Sequence, residues 1–499
     1  MTSASPRAVD GRSGTLRLLI VVACLAACFC VAGFLAIRGK PEFALLAAVA
    51  APMGMLLLAW PNLATWVSVF LIYVNFPVII VRFHGLPFVV GAAIPMLLAV
   101  PLAYYLFIRS DGIKADAVFP LIALFFVVNL VGLLVAVDGQ RAMTQVVTLL
   151  TEGVLLFFLV TNAVRDERTL RGVVWSLLLA GSCLGALSVF QWATRTYSND
   201  YGGFAQIEEG ASFRAEGSVT RRQSGPLGNK NRYAQIMSML VPLGLFTAWS
   251  ARSQLLRVGA WGATALTMMG VALTFCRGAA VAFAFMMIVM FFMRLVSIRQ
   301  CLTVGIAVLL LVLAVPQLKA RLLSLAPLLN VVSGEGGGIE VTDGAVRGRA
   351  AEMLSGVMMF VDYPLTGVGP AMYPLHYWEY GQRLSSSASS LRVKQEYRQP
   401  HSLYPGLAAE LGAPGLILFL LIVGSVMRKL AQARQSCLGD RPEAAMLALG
   451  FFFSMFMYLA TGLFAHFSYI RYFWLMLGLA AAAARILGAP PRSPSAANG

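Results

Sequence analysis

Acidic side chains are scarce in this 499-residue chain: 22 Asp and Glu stand against 38 Lys and Arg, and 12% of residues are charged. The two long hydrophilic intervals hold no carboxylates at Asp-x-Asp spacing, so they offer no obvious cradle for a divalent cation. Histidine is rarer still, with four residues. The seven cysteines (Cys24, Cys28, Cys30, Cys183, Cys276, Cys301 and Cys437) all fall outside those intervals and show no metal-ligand spacing. Neither disulfides nor zinc can therefore organise them. The chain also lacks Gly-x-x-x-x-Gly-Lys-Ser/Thr, a Gly-x-Gly-x-x-Gly turn in a βαβ setting, and any fixed-period repeat. A nucleotide-binding domain is not indicated.

Hydrophobic residues are what the chain has in excess, at 59%. A soluble protein of this length could not hide that much apolar surface, so the composition implies a polytopic membrane protein. Arg7, Arg12 and Arg17 precede an apolar run from Leu18 to Ile37, which reads as an uncleaved first helix. Spanning-length segments follow at 42–60, 63–82, 87–108, 117–137, 143–163 and 170–194, then 231–250, 257–275, 278–296 and 299–316, then 403–427, 443–464 and 467–487. The segments 42–60 and 63–82 meet at Trp60-Pro61-Asn62 without a charge and could form a partly inserted hairpin, so the expected number of helices is 12–14. The chain divides into N-terminal spans (1–194), a first loop (195–230), central spans (231–316), a large loop (317–402), C-terminal spans (403–487) and a disordered tail (488–499).

Basic residues set the orientation. Arg109, Lys114, Arg165, Arg168, Arg171, Arg252, Arg257, Arg294, Arg299, Arg428, Lys429, Arg434 and Arg441 collect on one set of loops. By the positive-inside rule that set is cytoplasmic, as are both termini. The loops 195–230 and 317–402 and the tight turn at Cys276-Arg277-Gly278 then share the outer side. The net charge of +16 is divided between orientation signals and these outer loops, which favours anionic lipid or phosphate over nucleic acid as partner.

Four stretches on that side could carry chemistry. Gln399-Pro400-His401-Ser402-Leu403-Tyr404 leads into an apolar helix; Ser402 reads as its N-cap, and Pro405 is tolerated in the first turn. His401 would sit at the helix mouth, beside the positive end, where a neutral ring able to accept a proton is favoured. Arg221-Arg222 and Gly228-Asn229-Lys230-Asn231, before another helix, read as an anion cradle or as a solvated helix-entry turn. Arg277, between two spans with almost no loop, either lines a wet cavity or snorkels to the interface. Arg349 opens an amphipathic helix that stops at Asp362-Tyr363-Pro364-Leu365-Thr366-Gly367-Val368-Gly369. The aromatic cluster Tyr373 to Tyr380 suits either sugar stacking or the interface belt. Glu152 and Glu410 are acids within spans, where a proton-coupled transporter would use them.

Taken in order, Gly228-Asn229-Lys230-Asn231, Leu273-Thr274 with Arg277-Gly278-Ala279, Asp362-Tyr363-Pro364-Leu365-x-Gly-Val-Gly, and His401-Ser402 with Glu410-x-Gly412 resemble the bacterial O-antigen ligase family. Its relatives, the O-antigen polymerases and O-linked oligosaccharyltransferases, share the pattern. The resemblance covers about 140–480. It implies an all-α inner-membrane protein of GT-C-like architecture with a large, mostly helical periplasmic loop. It further implies metal-independent, inverting transfer of a glycan from undecaprenyl pyrophosphate to lipid A–core oligosaccharide, without a cofactor. His401 would be the catalytic base. Arg222 (or Arg221) and Arg277, aided by Arg349 and Lys230, would bind the pyrophosphate, with Asn229, Asn231, Tyr404 and Glu410 in support. Lys230 stands where the family commonly has proline, and Phe275-Cys276 where a serine is usual. A polymerase or protein-directed transferase on the same scaffold, and a transporter, are the alternatives.

Overall fold

A computed structural model describes residues 60–208, 213–215, 218–323, 344–387, 398–465 and 471–489. The first span, nearly all of the 42–60 segment, the glycine-rich stretch 333–338 and the tail lie outside these residues. The chain is helical almost throughout. Among the described residues, Gly139–Ala163, Glu167–Thr194, Gln254–Leu273, Leu403–Cys437 and Pro442–Gly462 are long and apolar enough to cross a membrane. Two bent pairs raise the number to seven: Pro61–Tyr73 with Phe76–Arg82, and Phe88–Met96 with Ala99–Ile108. Shorter apolar helices run Phe119–Gly132, Arg277–Phe292 and Ile298–Ala314. This is a multi-pass membrane protein.

The expected straight span 63–82 is broken, with its two halves bent by 57°. Asn75 causes the break: it adopts a left-handed conformation (φ 65°), and Pro77 follows in the first turn of the second half. Its side-chain amide donates to the Pro226 carbonyl at 2.9 Å, tying the bend to the first loop. That loop, expected as an outer connection, contains two small antiparallel pairs, Gln206–Ile207 with Gln223–Gly225 and Phe213–Ala215 with Ser218–Thr220.

The last helix, Arg471–Gly488, is the hub, buried continuously from Tyr472 to Ala484. Its Ala480 to Ala484 run lets neighbouring helices approach closely, as small residues do in membranes. Gly181 and Gly185 serve Glu167–Thr194 in the same way: a Cβ at Gly185 would meet the Leu266 carbonyl oxygen at 2.1 Å. On the periphery, Leu302, Ile306, Leu309, Leu310 and Leu313 are exposed along one helix, as lipid-facing residues should be.

The connections sort into two ends. At one, Lys429 pairs with Asp116 (3.0 Å), Arg171 with Glu443 (3.4 Å), and Arg165 donates to the Gly112 carbonyl (3.1 Å). At the other, the loops before residue 230 and after residue 344 meet the turn at Cys276. The basic set and the chemistry-bearing set therefore lie at opposite ends of the helices.

Candidate functional site

The helix Gly344–Asp362, here α1, carries Glu352 on the face that meets the start of Leu403–Cys437, here α2. Glu352 is fully buried, yet it ends in a charge. Two cations answer it: Arg398 Nη1 lies 2.8 Å from Oε1, and His401 Nδ1 lies 2.5 Å from Oε2. The His401 ring contact is close in distance but not aligned as a hydrogen bond. Tyr373 donates its hydroxyl to the Glu352 backbone carbonyl at 2.5 Å. Burial, and then the Glu352 charge, push the Tyr373 hydroxyl far up, so it remains a donor. With one His401 nitrogen facing the carboxylate, the other is left to accept a proton. The side chain is about one-third exposed, so a substrate can reach it.

Three sequence expectations need correction here. Ser402 does sit at the N-cap of α2, but its hydroxyl makes no cap and lies instead 3.5 Å from the Gly462 carbonyl. The aromatic cluster faces neither sugar nor lipid, because Tyr373, Tyr377 and Tyr380 are buried with Met359 and Met372. Glu410 does not reach toward His401; its carboxylate accepts from the Tyr373 amide at 3.4 Å, at the start of the helix Tyr373–Ser387. Tyr404 hydrogen-bonds the Leu459 carbonyl at 2.8 Å.

The Asp362 to Gly369 turn has a mechanical reason. α2 breaks at Gly412 (φ 65°, ψ −168°), and Pro414 removes a further donor. The carbonyls this frees on Ala409 and Glu410 accept from Val368 (2.8 Å) and Gly369 (3.0 Å), and the Ala413 amide donates to Pro364 (2.7 Å). Every pairing the kink needs comes from that one turn. It locks α1, which carries Glu352, against α2, which follows His401.

The cationic group lies beside this unit. Asn229 caps the helix Lys230–Ser250, accepting from the Asn231 and Arg232 amides at 3.1 Å each. Lys230 is committed to Glu208 through its ammonium and its amide, both at 2.8 Å. Burial lowers the Lys230 pKa, the Glu208 contact opposes this, and the neighbouring Arg222 and Arg349 charges lower it further. Lys230, Arg222 and Arg349 thus share one electrostatic neighbourhood. Arg222, 6% exposed, donates to the Thr274 carbonyl at 2.8 Å and the Phe275 carbonyl at 2.9 Å. It holds the turn, with Phe275 at φ 51°, that presents Arg277 as the first residue of Arg277–Phe292. Arg277 is 8% exposed. Asn231 accepts weakly from the Cys276 thiol at 3.5 Å. Arg221 lies over the Tyr197 ring, 5.7 Å from its centre.

The end of Pro442–Gly462 joins the two groups. Gly462 packs against Leu403 on one side, and Phe464 packs against Gly278 on the other. The structure therefore brings together the arginine turn, the first loop and the histidine unit. Residues 262–420 match the O-antigen ligase family model. No curated protein matches the chain. The ligase segment contains Arg277, Arg349, Glu352 and His401, while Arg221, Arg222 and Lys230 lie before it. It supports an enzyme of O-antigen ligase or polymerase type, a glycosyltransferase in the general sense. Sequence reasoning quoted Glu352 beside Arg349 without assigning it a part. The only available signal was a carboxylate one turn along an arginine-bearing helix.

Proposed function

We propose that the chain is an O-antigen ligase acting at the periplasmic face of the bacterial inner membrane. It would move a glycan from undecaprenyl pyrophosphate to a hydroxyl of lipid A–core oligosaccharide. The observation that carries the reading is the His401–Glu352–Arg398 unit beside the Arg277 turn, within the ligase-matched segment.

The chemistry follows from charge. As the glycosidic C–O bond breaks, negative charge grows on the leaving pyrophosphate, and Arg277 stabilises it as a preorganised, desolvated cation. Arg222 fixes the turn carrying Arg277, and Arg349 adds to the positive field; these residues do the work a divalent metal does elsewhere. His401 takes the proton of the attacking hydroxyl, while Glu352 holds the ring in place. Attack opposite the leaving group inverts the anomeric centre. Lipid surrounds the polyprenyl chain, and the glycan projects into water.

The test is transfer by purified protein in EDTA, with lipid-linked glycan as donor and lipid A–core as acceptor. A ladder of enlarged lipopolysaccharide from wild type, lost in His401→Ala and Arg277→Ala at normal protein level, is expected. Longer donor chains, or glycosylated protein when that acceptor is supplied, would shift the assignment to a polymerase or oligosaccharyltransferase. Full transfer by His401→Ala would remove the base.

A further inference from the structure

Gln145, Thr148 and Glu152 recur at i, i+3 and i+7 in Gly139–Ala163, so they share one face of that helix. A membrane helix that turns three polar side chains the same way needs a polar neighbour there. They line a chamber of about 390 Å³, completed by Arg471, Tyr472 and Gln399. Glu152 and Arg471 are paired, with Nε 3.2 Å from Oε2. Tyr472 is 1% exposed, and among the described residues its hydroxyl has no hydrogen-bond partner. A buried hydroxyl without a partner costs stability, so its retention beside a polar chamber points to an occupant that pairs with it.

The lining decides the class of occupant. Amide, hydroxyl, carboxylate and guanidinium groups converge from four parts of the chain, and the volume falls in the roughly 300–1,000 Å³ range of small-molecule sites. Such a lining suits a molecule covered in hydroxyls and wastes its groups on an acyl or prenyl chain. Position decides which sugar. Gln399 stands two residues before His401, at most about 7 Å of extended chain. A second chamber of about 720 Å³ is lined instead by Tyr197, Arg221 and Arg222, and the two share Arg82, Phe83 and Gln206. The first chamber lies on the base side and the second on the arginine side.

We propose that the 390 Å³ chamber seats a sugar ring of the acceptor oligosaccharide, with the Tyr472 hydroxyl as one of its hydrogen-bonding groups. Naming it the acceptor's ring rests on the transferase reading above. The polar seat rests on the geometry alone.

Tyr472→Phe is the decisive variant because it removes only the unpartnered hydroxyl and leaves the packing intact. Gln145→Leu is the second, placing an apolar residue in a membrane helix that tolerates one. The measurement is calorimetric binding of core oligosaccharide, freed of lipid, to the purified full-length protein. Affinity should fall about three- to tenfold in each variant, the range one hydrogen bond supplies, with melting temperature equal to or above wild type. The acceptor KM should rise by the same factor while the donor KM stays put. Unchanged affinity in both variants, or no binding by wild type, would overturn the seat. A rise confined to the donor KM would overturn its assignment to the acceptor. Wild type that binds through Tyr472 but transfers nothing would sink the transferase reading and leave the sugar site standing.

Discussion

Glu352 is a charge without exposure, and it survives there because Arg398 and His401 face it across 2.8 and 2.5 Å. Removing one member of such a set leaves an uncompensated charge, at a cost of about 3–5 kcal/mol. Glu352→Ala should therefore lower the melting temperature sharply. Glu352→Gln keeps the shape and loses the charge, so kcat for transfer should fall on the order of 10²-fold, with the KM of both substrates nearly unchanged. A purely structural carboxylate would lower yield and melting temperature without that split. Arg222 makes a different demand. Its fork reaches two successive carbonyls, Thr274 and Phe275, and a lysine ammonium cannot reproduce that planar geometry. Arg222→Lys should lose most transfer despite conserving charge, and full activity in that variant would show that charge alone matters there.

At the scale of elements, the broken helix Leu403–Cys437 and the turn at Asp362 to Gly369 form one interlock. Gly367 is at φ 64°, and a Cβ there would lie 2.3 Å from the Glu410 carbonyl carbon, which is backbone and cannot step aside. Gly367→Ala should cost more than about 2 kcal/mol, from the left-handed conformation and the contact together. Thermal unfolding in detergent measures this, and a melting temperature equal to wild type would mean that the turn is not what holds the kink. The sequence contained both halves, Gly367-Val368-Gly369 and Glu410-x-Gly412, as separate short motifs. Their hydrogen-bond register could not be read from either, because each supplies the partners the other lacks. The aromatic run from Tyr373 to Tyr380 went unread for a related reason. Its spacing fits a packed face as well as an exposed one, and only the neighbouring Met359 and Met372 settle which it is.

For the whole molecule, the sorting of loops into two ends is the property everything else depends on. If the basic end is cytoplasmic, a cysteine placed at Ser198 should react with a membrane-impermeant maleimide applied to intact spheroplasts. One at Ser253 should react only after lysis, with wild type as the blank. The reverse pattern would invert the protein and put His401 on the wrong side for a lipid A–core acceptor. The chambers, the arginine turn and the histidine unit draw on residues from Arg82 to Tyr472, so no contiguous fragment holds the site.

By itself, the sequence determined that the chain is a helical, multi-pass membrane protein, because apolar runs of spanning length admit no other economical structure in lipid. It also pointed to His401, Arg222 and Arg277, since charge and histidine are rare enough in such a chain to stand out. Tertiary structure alone decided how these residues are used. It set Glu352 against His401, turned Arg222 onto the backbone of the Arg277 turn, and spent Lys230 on Glu208. It also aimed Glu410 at a helix start rather than at the histidine. The reason is physical: hydropathy is a sum over neighbours in sequence, whereas a buried charge is settled by whichever partner the fold brings within about 3 Å.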